Sequence, residues 1–218
     1  MNILNLLLKL FKSNYIDKKI DEGGVTMLKA QDLAKYIITK CTLDGKPISN
    51  LQLQKILYFV QGAFYYKFDH SIFDDTIRAW DYGPVIDNVY NMYKKYGSST
   101  IQEVDINFES TFNRESEPEA TRELVDIMVE SLREIDPWEL VRISHEDGTP
   151  WKSNYHIWWP AIESTQIENY FKGNDEIFKK LNVNFNKKPK GTDTESNESK
   201  IVLDFFNELN KIKKQTEE

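Results

Sequence analysis

Ser144 and His145 come nearest to a reactive pair in this 218-residue chain. A serine and a histidine can act as nucleophile and general base, but only when their side chains face each other. Side chains adjacent in sequence rarely do, and no G-x-S-x-G turn surrounds the serine. We therefore predict no catalytic residue, and we expect Ser144 and His145 to end a short helix and hydrogen-bond the following turn. An enzyme that uses either residue remains the alternative.

Metal-binding and phosphate-binding motifs are not evident in the sequence. The chain has three histidines and one cysteine, and no two histidines have the i, i+4 spacing of a helical metal site. Its nine glycines are scattered at turns, outside any phosphate-binding loop. The sequence thus predicts no metal and no cofactor. Cys41 lies on the apolar side of a predicted helix, which indicates a buried, inert thiol in a protein of the reducing cytoplasm.

The charge balance bears on the kind of partner. The formal net charge of −7 disfavours contact with nucleic acid and favours a basic protein partner. Acidic residues concentrate between Glu103 and Glu139, where we expect a mostly solvated helix face, part of which could steer such a partner. No apolar run reaches the roughly 20 residues that cross a bilayer. The segment "MNILNLLLKLF" lacks the features of a signal peptide, so we predict a cytoplasmic protein without a membrane segment.

Apolar residues at three- and four-residue spacing predict a mainly α, compact helical domain over residues 27–185, with one small β element. The first helix is expected near residues 29–41. Ser49 and Gln52 have the spacing of a capping box, which would open the helix containing "LQLQKILYFVQGAFYYKF". Leucine, isoleucine, valine and phenylalanine give that helix a buried stripe. We expect Lys55, Tyr58 and Gln61 to lie toward the flank of that stripe.

Other elements are predicted from caps and breakers. The stretch "SIFDDTIRAW" has the alternation of a short extended segment, and "IQEVDINFESTF" that of a strand or an irregular arm. Pro84 suits the first position of a helix that ends at Gly97. Asp136 and Glu139 are spaced as a second capping box. The remaining helices are expected to begin at Pro118, Thr149, Ser164 and Asn174.

Both ends of the chain differ from the central domain. Residues 1–26 are interpreted as a doubtful N-terminal extension, because the codons for Glu22-Gly23-Gly24 can contain a ribosome-binding purine run upstream of Met27. The alternative is an amphipathic arm. Residues 186–200 are polar and contain proline, glycine and serine, which predicts a flexible linker. Residues 201–214 carry one apolar stripe and are predicted to form an amphipathic C-terminal helix.

Three blocks occur in order along the chain: "LQLQKILYFVQG", "AWDYGPV" and "SHEDGTPWK". Together, from about Met27 to Lys172, they resemble the Panacea domain, also called the SocA-like antitoxin domain, which is often found in phage-associated proteins. The characteristic positions of that family fall on Lys55, Tyr58, Gln61, Gly62, Trp80, Gly83, Pro84, Val85, Ser144, His145 and Trp151.

The resemblance implies a non-enzymatic antitoxin that binds and neutralises a protein toxin, commonly encoded next to it. An alternative from the same family is an adaptor that delivers the toxin to an AAA+ protease, and a further one is a phage-encoded regulatory protein. Neither the toxin nor the oligomeric state follows from the sequence. None of the motif positions is a known catalytic residue of the family, so the resemblance favours binding over chemistry.

The large amphipathic rings within the motifs have two possible roles. Trp80, Tyr82, Tyr58 and Trp151 can either anchor an interface or pack in the core. Core packing is the favoured interpretation for Trp80 and Trp151. Gln61, together with Tyr58, is expected to satisfy buried backbone groups around the Gly83-Pro84 turn. Partner contacts are expected instead on the acidic helix, the loop "KFDHSIFDD" and the C-terminal stripe.

Overall fold

The computed structural model describes residues 27–105, 111, 119–156 and 160–189. Within these ranges the chain forms α-helices and a small three-stranded antiparallel sheet, which confirms the predicted mainly α fold with one small β element. The predicted N-terminal extension and C-terminal helix, and all but the first four residues of the predicted linker, lie outside the described residues. The division of the chain into these segments therefore stays a prediction.

The helices and strands follow one another closely along the chain. The α-helices are α1 Ala30–Leu43, α2 Asn50–Phe68, α3 Asp87–Tyr93, α4 Glu119–Leu132, α5 Pro137–Ser144, α6 Pro150–Asn154, α7 Ser164–Phe171 and α8 Asp175–Lys180. The strands are β1 Ile77–Trp80, β2 Gly83–Ile86 and β3 Ala161–Ile162. A 3-10 turn, Lys94–Tyr96, extends α3 and ends at Gly97, whose φ of +55° suits a residue without a side chain.

Helix α2 is the centre of the domain. It packs against α1, α3, α4, α5, α7 and β2, and 15 of its 19 residues are buried. The expected apolar stripe is there, but its polar flank is also covered, since Lys55 is 0 % exposed and Tyr58 1 %. A helix surrounded by neighbours buries its polar side chains as well, so Lys55, Tyr58 and Gln61 are covered together with the apolar stripe.

The start of α2 is capped as predicted on one side only. The Ser49 hydroxyl accepts a hydrogen bond from the Gln52 N–H at 3.3 Å. The Gln52 side chain does not return that bond. Its amide instead donates to the carbonyls of Arg133 at 3.1 Å and Ile135 at 3.0 Å, just beyond the end of α4. Gln52 thus satisfies carbonyls that the helix leaves unpaired at its C-terminus, 81 and 83 residues later in the sequence.

The sheet is a hairpin with one added strand. β1 pairs with β2 in an antiparallel register that places Trp80 opposite Gly83, and β3 pairs with the other side of β1. The prediction that Pro84 begins a helix was wrong, because Pro84 lies within β2 and α3 begins at Asp87. β2 is an edge strand, and such strands tolerate a residue that has no N–H to donate.

Local capping chemistry places the remaining helices. Asp136 accepts from the Trp138 N–H at 2.8 Å, but Glu139 pairs with Arg142 instead of completing the box. The caps at Thr149 and Asn174 are confirmed. Helix α7 is capped by a box that begins at Glu163, so the expected cap at Ser164 was one residue late.

The acidic stretch contributes to the core as well as to the surface. Asp126 in α4 is 4 % exposed and accepts a hydrogen bond from the Tyr36 hydroxyl at 2.6 Å. Lys40 lies 3.8 Å from the same carboxylate, and burial still raises the pKa of Asp126 above its usual range. The expected solvated face is therefore incorrect at Asp126, which ties α4 to α1. Cys41 is buried as predicted, and burial raises the pKa of its thiol to about 11.

Candidate functional site

Lys55 lies at the point where α2 meets the hairpin. Its side chain is completely buried, and Nζ donates a hydrogen bond to the Pro84 carbonyl at 2.8 Å. No carboxylate among the described residues forms an ion pair with it. Burial lowers the pKa of Lys55 to about 7, because the charged form loses its hydration. The Lys55 amine therefore loses its proton near neutral pH in the folded protein.

Gly83 allows the hairpin to approach this amine. Its φ is +99°, and a Cβ at this position would lie 2.7 Å from Cε of Lys55 and 2.8 Å from Oγ of Ser144. These distances are shorter than a van der Waals contact permits. Glycine is thus required twice at this position, by its backbone conformation and by the space available.

Ser144 completes the enclosure from the end of α5. It is 1 % exposed, and its hydroxyl donates to the Val141 carbonyl at 2.8 Å. Its own carbonyl accepts from the Thr149 hydroxyl at 2.9 Å, which joins the end of α5 to the cap of α6. The predicted helix end at Ser144 and its bond to the following turn are confirmed. The same bond was expected of His145, but its Nε2 atom makes none among the described residues.

His145 stacks flat on Trp151. The ring centroids are 3.4 Å apart and the planes differ by 4°. Burial, followed by the charges of Lys55 and Lys152, lowers the pKa of His145 to about 4, so the imidazole is neutral at pH 7. Its Nε2 atom is enclosed and has no hydrogen-bond partner among the described residues.

Trp151 connects this stack to the hairpin. Its indole N–H donates to the Trp80 carbonyl at 2.8 Å, and the Tyr155 ring stacks on it at a centroid distance of 4.4 Å. Trp151 is 4 % exposed, which confirms that it packs in the core. Trp80 is half-buried against Tyr90, with centroids 4.9 Å apart. The three sequence blocks therefore meet around Lys55.

The glutamines of α2 satisfy backbone groups, but not all as expected. Gln61 accepts from the Ile72 N–H at 3.1 Å and donates to the Phe73 carbonyl at 3.0 Å, in the segment before β1. The expectation that it serves the Gly83-Pro84 turn was wrong. Gln54 serves β2 instead, by accepting from the Ile86 N–H at 2.9 Å. Sequence reasoning missed Gln54, although its seven-residue spacing from Gln61 places both on one helix face.

Tyr58 is the motif residue with an unusual surrounding. Its ring packs 5.1 Å from Phe59 and 5.5 Å from Phe171, centroid to centroid. Its hydroxyl is buried and has no hydrogen-bond partner among the described residues. The adjacent Gly62 leaves room for the Phe171 ring, since a Cβ there would lie 2.6 Å from it. This part of the motif joins α2 to α7.

Two aromatic side chains near this cluster remain exposed. Tyr82, in the turn between β1 and β2, is 61 % exposed, whereas Val85 in the same hairpin is buried. Trp138, near the start of α5, is 58 % exposed, and its ring meets that of Tyr82 edge to face with centroids 5.4 Å apart. Sequence reasoning missed Trp138. The available signal was its position off the stripe that Leu140, Val141 and Ile143 bury.

An open pocket lies away from the lysine. It has a volume of about 700 Å³, and its walls include Gln61, Asp75 and Glu163. The Asp75 carboxylate in this wall is already engaged, because it accepts from the Ala30 N–H at 2.9 Å at the start of α1. Lys55, Ser144 and His145 are not part of its lining. The cluster around Lys55 and this pocket are therefore separate features, although one motif residue, Gln61, lines the pocket.

The cluster has the properties of a sealed scaffold. Lys55 and Ser144 are both enclosed, and each bonds to a backbone carbonyl. In the part of the chain that the structure describes, no three histidine, cysteine or acidic side chains are placed to share a metal ion. None of the helices in those ranges has the length and apolar character needed for crossing a bilayer.

The fold and the cluster define a helical domain in which a small hairpin is fastened over a buried lysine. Comparison with known proteins shows what this region is similar to. Residues 53–152 match the family described as antitoxin SocA-like, Panacea domain. A curated relative, Antitoxin SocA of Caulobacter vibrioides, is 27 % identical over 127 residues, which cover 56 % of this chain and 68 % of the relative. No solved structure matched the chain.

Proposed function

We propose that this protein is an antitoxin that neutralises a protein toxin by binding to it directly. The proposal is supported by the family match across residues 53–152 and by the similarity to Antitoxin SocA. The matched region contains the second and third motif blocks and all but the first two residues of the first. The toxin is expected to be the product of a neighbouring reading frame. The burial of the motif side chains also favours binding over catalysis.

The enclosed Lys55 is the single observation that carries binding over catalysis. A group that reacts with a substrate must be reached by it, whereas Lys55 is 0 % exposed and Ser144 1 %. His145 lies half-buried beside them, with its ring covered by Trp151. The motif side chains thus fix the hairpin relative to α2 and α5, and the outer surface is left for recognition.

The charge of the chain favours a basic partner in the cytoplasm. With a net charge of −7, the protein attracts basic proteins and repels phosphate backbones at long range. Binding to a protein toxin fits this sign better than regulation through nucleic acid does. Salt dependence separates the two, because contact with many phosphates weakens steeply with salt.

Co-expression tests the proposal. The product of the adjacent reading frame is induced alone and together with this protein, and growth and toxin abundance are both measured. We expect growth to recover while the toxin remains at an unchanged level and co-purifies with this protein. Recovery with loss of the toxin, dependent on a host AAA+ protease, would instead support the adaptor alternative. Growth arrest that persists despite equal expression of both proteins contradicts the antitoxin function.

A further inference from the structure

We propose that Tyr82 and Trp138 form the docking surface for a basic segment of the toxin, with the two rings receiving an arginine or lysine side chain. This inference rests on the proposed function and deepens it by naming the surface and the chemistry of the partner. The surface consists of the hairpin turn, Asp81-Tyr82, and the start of α5, Asp136–Glu139.

The exposure of Tyr82 and Trp138 favours a role in binding. Tyr82 and Trp138 are 61 % and 58 % exposed, whereas the other large hydrophobic side chains that stand out at the described surface, Leu43 and Val104, are each 42 % exposed. The two rings also contact each other across two separate elements. Exposed tryptophan and tyrosine side chains of this kind are typical of the residues that dominate the binding energy of protein interfaces.

The residues that support Tyr82 and Trp138 are held rigidly, which also favours a role in binding. The residue after Tyr82 is Gly83, which is packed against Lys55 and Ser144, and the residue before Asp81 is Trp80, whose carbonyl is held by Trp151. The hairpin turn is thus fixed on both sides. Trp138 is held at the start of a helix whose cap, Asp136, bonds to the Trp138 N–H. A surface that is already ordered loses less entropy when it binds.

Charge selects the partner. Asp81 precedes Tyr82 and is exposed, with one carboxylate oxygen accepting from the Tyr155 hydroxyl at 3.2 Å. Asp136 is also exposed. Arg142 is the nearest cation to these residues along α5. It is already paired with Glu139 and Glu146. Aromatic faces flanked by carboxylates attract guanidinium and ammonium groups through cation–π contact and charge complementarity.

The first experiment uses the toxin. Its affinity for the full-length chain is measured by calorimetry for the wild type, Tyr82→Ala and Trp138→Ala, with Leu43→Ala and Val104→Ala as controls that also remove an exposed hydrophobic side chain. We expect each aromatic variant to weaken binding by about tenfold or more, and each control by less than about twofold. Thermal unfolding of all four variants is measured to exclude loss of the fold. Equal affinities for all five proteins would overturn the proposal that the toxin binds at Tyr82 and Trp138.

The second experiment is independent of the toxin, so that failure of the proposed function can be told apart from failure of the surface. A hexa-arginine peptide and a hexa-glutamate peptide are titrated into the same proteins at low and moderate salt. We expect the arginine peptide alone to bind, and its binding to be lost in Trp138→Ala and kept in Leu43→Ala. If the toxin does not bind at all, that outcome still supports the surface while the antitoxin function fails.

Three further outcomes decide against the surface. If hexa-arginine binds Trp138→Ala as well as the wild type, the attraction comes from the overall negative charge and the aromatic pair has no part in it. If sedimentation finds that the wild type dimerises and that Trp138→Ala is monomeric, the occupant of the surface is a second copy of this chain. A toxin that fails to bind, combined with no binding of hexa-arginine, likewise overturns the proposal.

Discussion

Nζ of Lys55 and the carbonyl oxygen of Pro84 are 2.8 Å apart, and this hydrogen bond joins the middle of the central helix to the edge strand of the hairpin. It is the polar contact around which the three motif blocks assemble. Because the amine is completely buried, the stability of this arrangement depends on the charge state of Lys55 and on the small size of Gly83 beside it.

The space at Gly83 is tested by substitution with alanine. Gly83→Ala places a Cβ less than 3 Å from both Lys55 and Ser144, at a φ of +99°. We expect it to lower the free energy of unfolding by more than about 2 kcal/mol. Gly45→Ala is the matched control, because Gly45 also has a positive φ, +68°, but nothing lies within 4 Å of its added Cβ. We expect the control to cost about 1 kcal/mol, the strain alone. Urea denaturation that gives the two variants equal stability would contradict the close packing.

The burial of Lys55 predicts a pH dependence of stability. The unfolded chain keeps this amine protonated up to its ordinary pKa of 10.5, whereas the folded chain releases the proton near pH 7. Between these values the unfolded state binds more protons, so stability rises with pH, at up to about 1.4 kcal/mol per pH unit from this one group. Below about pH 7 its contribution is level, and the full cost of burying the charge is present.

Lys55→Met tests this dependence. Methionine has a similar length and no charge, so we expect the rise in stability between about pH 7 and 10 to become smaller. Lys29→Met is the control, since Lys29 is exposed. Chemical denaturation at a series of pH values measures the difference. A rise that persists unchanged in Lys55→Met, or that disappears in Lys29→Met as well, argues against a desolvated Lys55.

The lowered pKa of His145 predicts a second change in folding stability, at a more acidic pH. Its pKa is lowered from 6.5 to about 4 in the folded protein, so the unfolded chain binds the extra proton first as the pH falls. Stability contributed by the neutral ring is therefore present above about pH 6.5 and is lost towards pH 4. His145→Phe keeps a ring on Trp151 without titrating, and we expect it to lose less stability over this range than the wild type. Equal acid sensitivity of the two proteins would mean that the ring is not shielded.

Substitution of Gln61 tests how much stability is lost when buried backbone groups are left without a partner. It is the side-chain partner of the Ile72 N–H and the Phe73 carbonyl, both within the core region. Gln61→Met fills a similar volume but leaves these groups unsatisfied, and we expect a loss of about 2–4 kcal/mol. Gln102→Met at an exposed position should change stability by less than about 0.5 kcal/mol. Thermal or urea unfolding compares them, and a neutral effect of Gln61→Met would count against the assigned hydrogen bonds.

Sequence reasoning succeeded where structure is decided locally. Asp136, Thr149 and Asn174 each accept from a backbone N–H two or three residues ahead, so the cap can be recognised within one turn of helix. The buried apolar stripe of α2 and the turn at Gly97 are equally local. The motif resemblance located the positions that form the cluster, although it did not indicate that they contact one another.

The errors arose where a distant partner decides. Pro84 is compatible with a helix start, but pairing with β1 places it in a strand. Gln52 has the spacing of a capping box, yet carbonyls beyond α4 take its amide. The burial of Lys55 depends on α5 and the hairpin closing over α2, which no pattern within α2 reveals. Trp138 was missed for the same reason, because the ring that it contacts, that of Tyr82, lies far away in the sequence.

The most direct test of the account is a titration of the purified toxin with this purified protein, with no protease present. The toxin's own activity is followed as this protein is added, and the toxin is checked for integrity at the end. We predict that its activity falls progressively to a basal level while the toxin stays intact and leaves a gel-filtration column in complex with this protein. Full toxin activity in the presence of an excess of this folded protein would contradict the account.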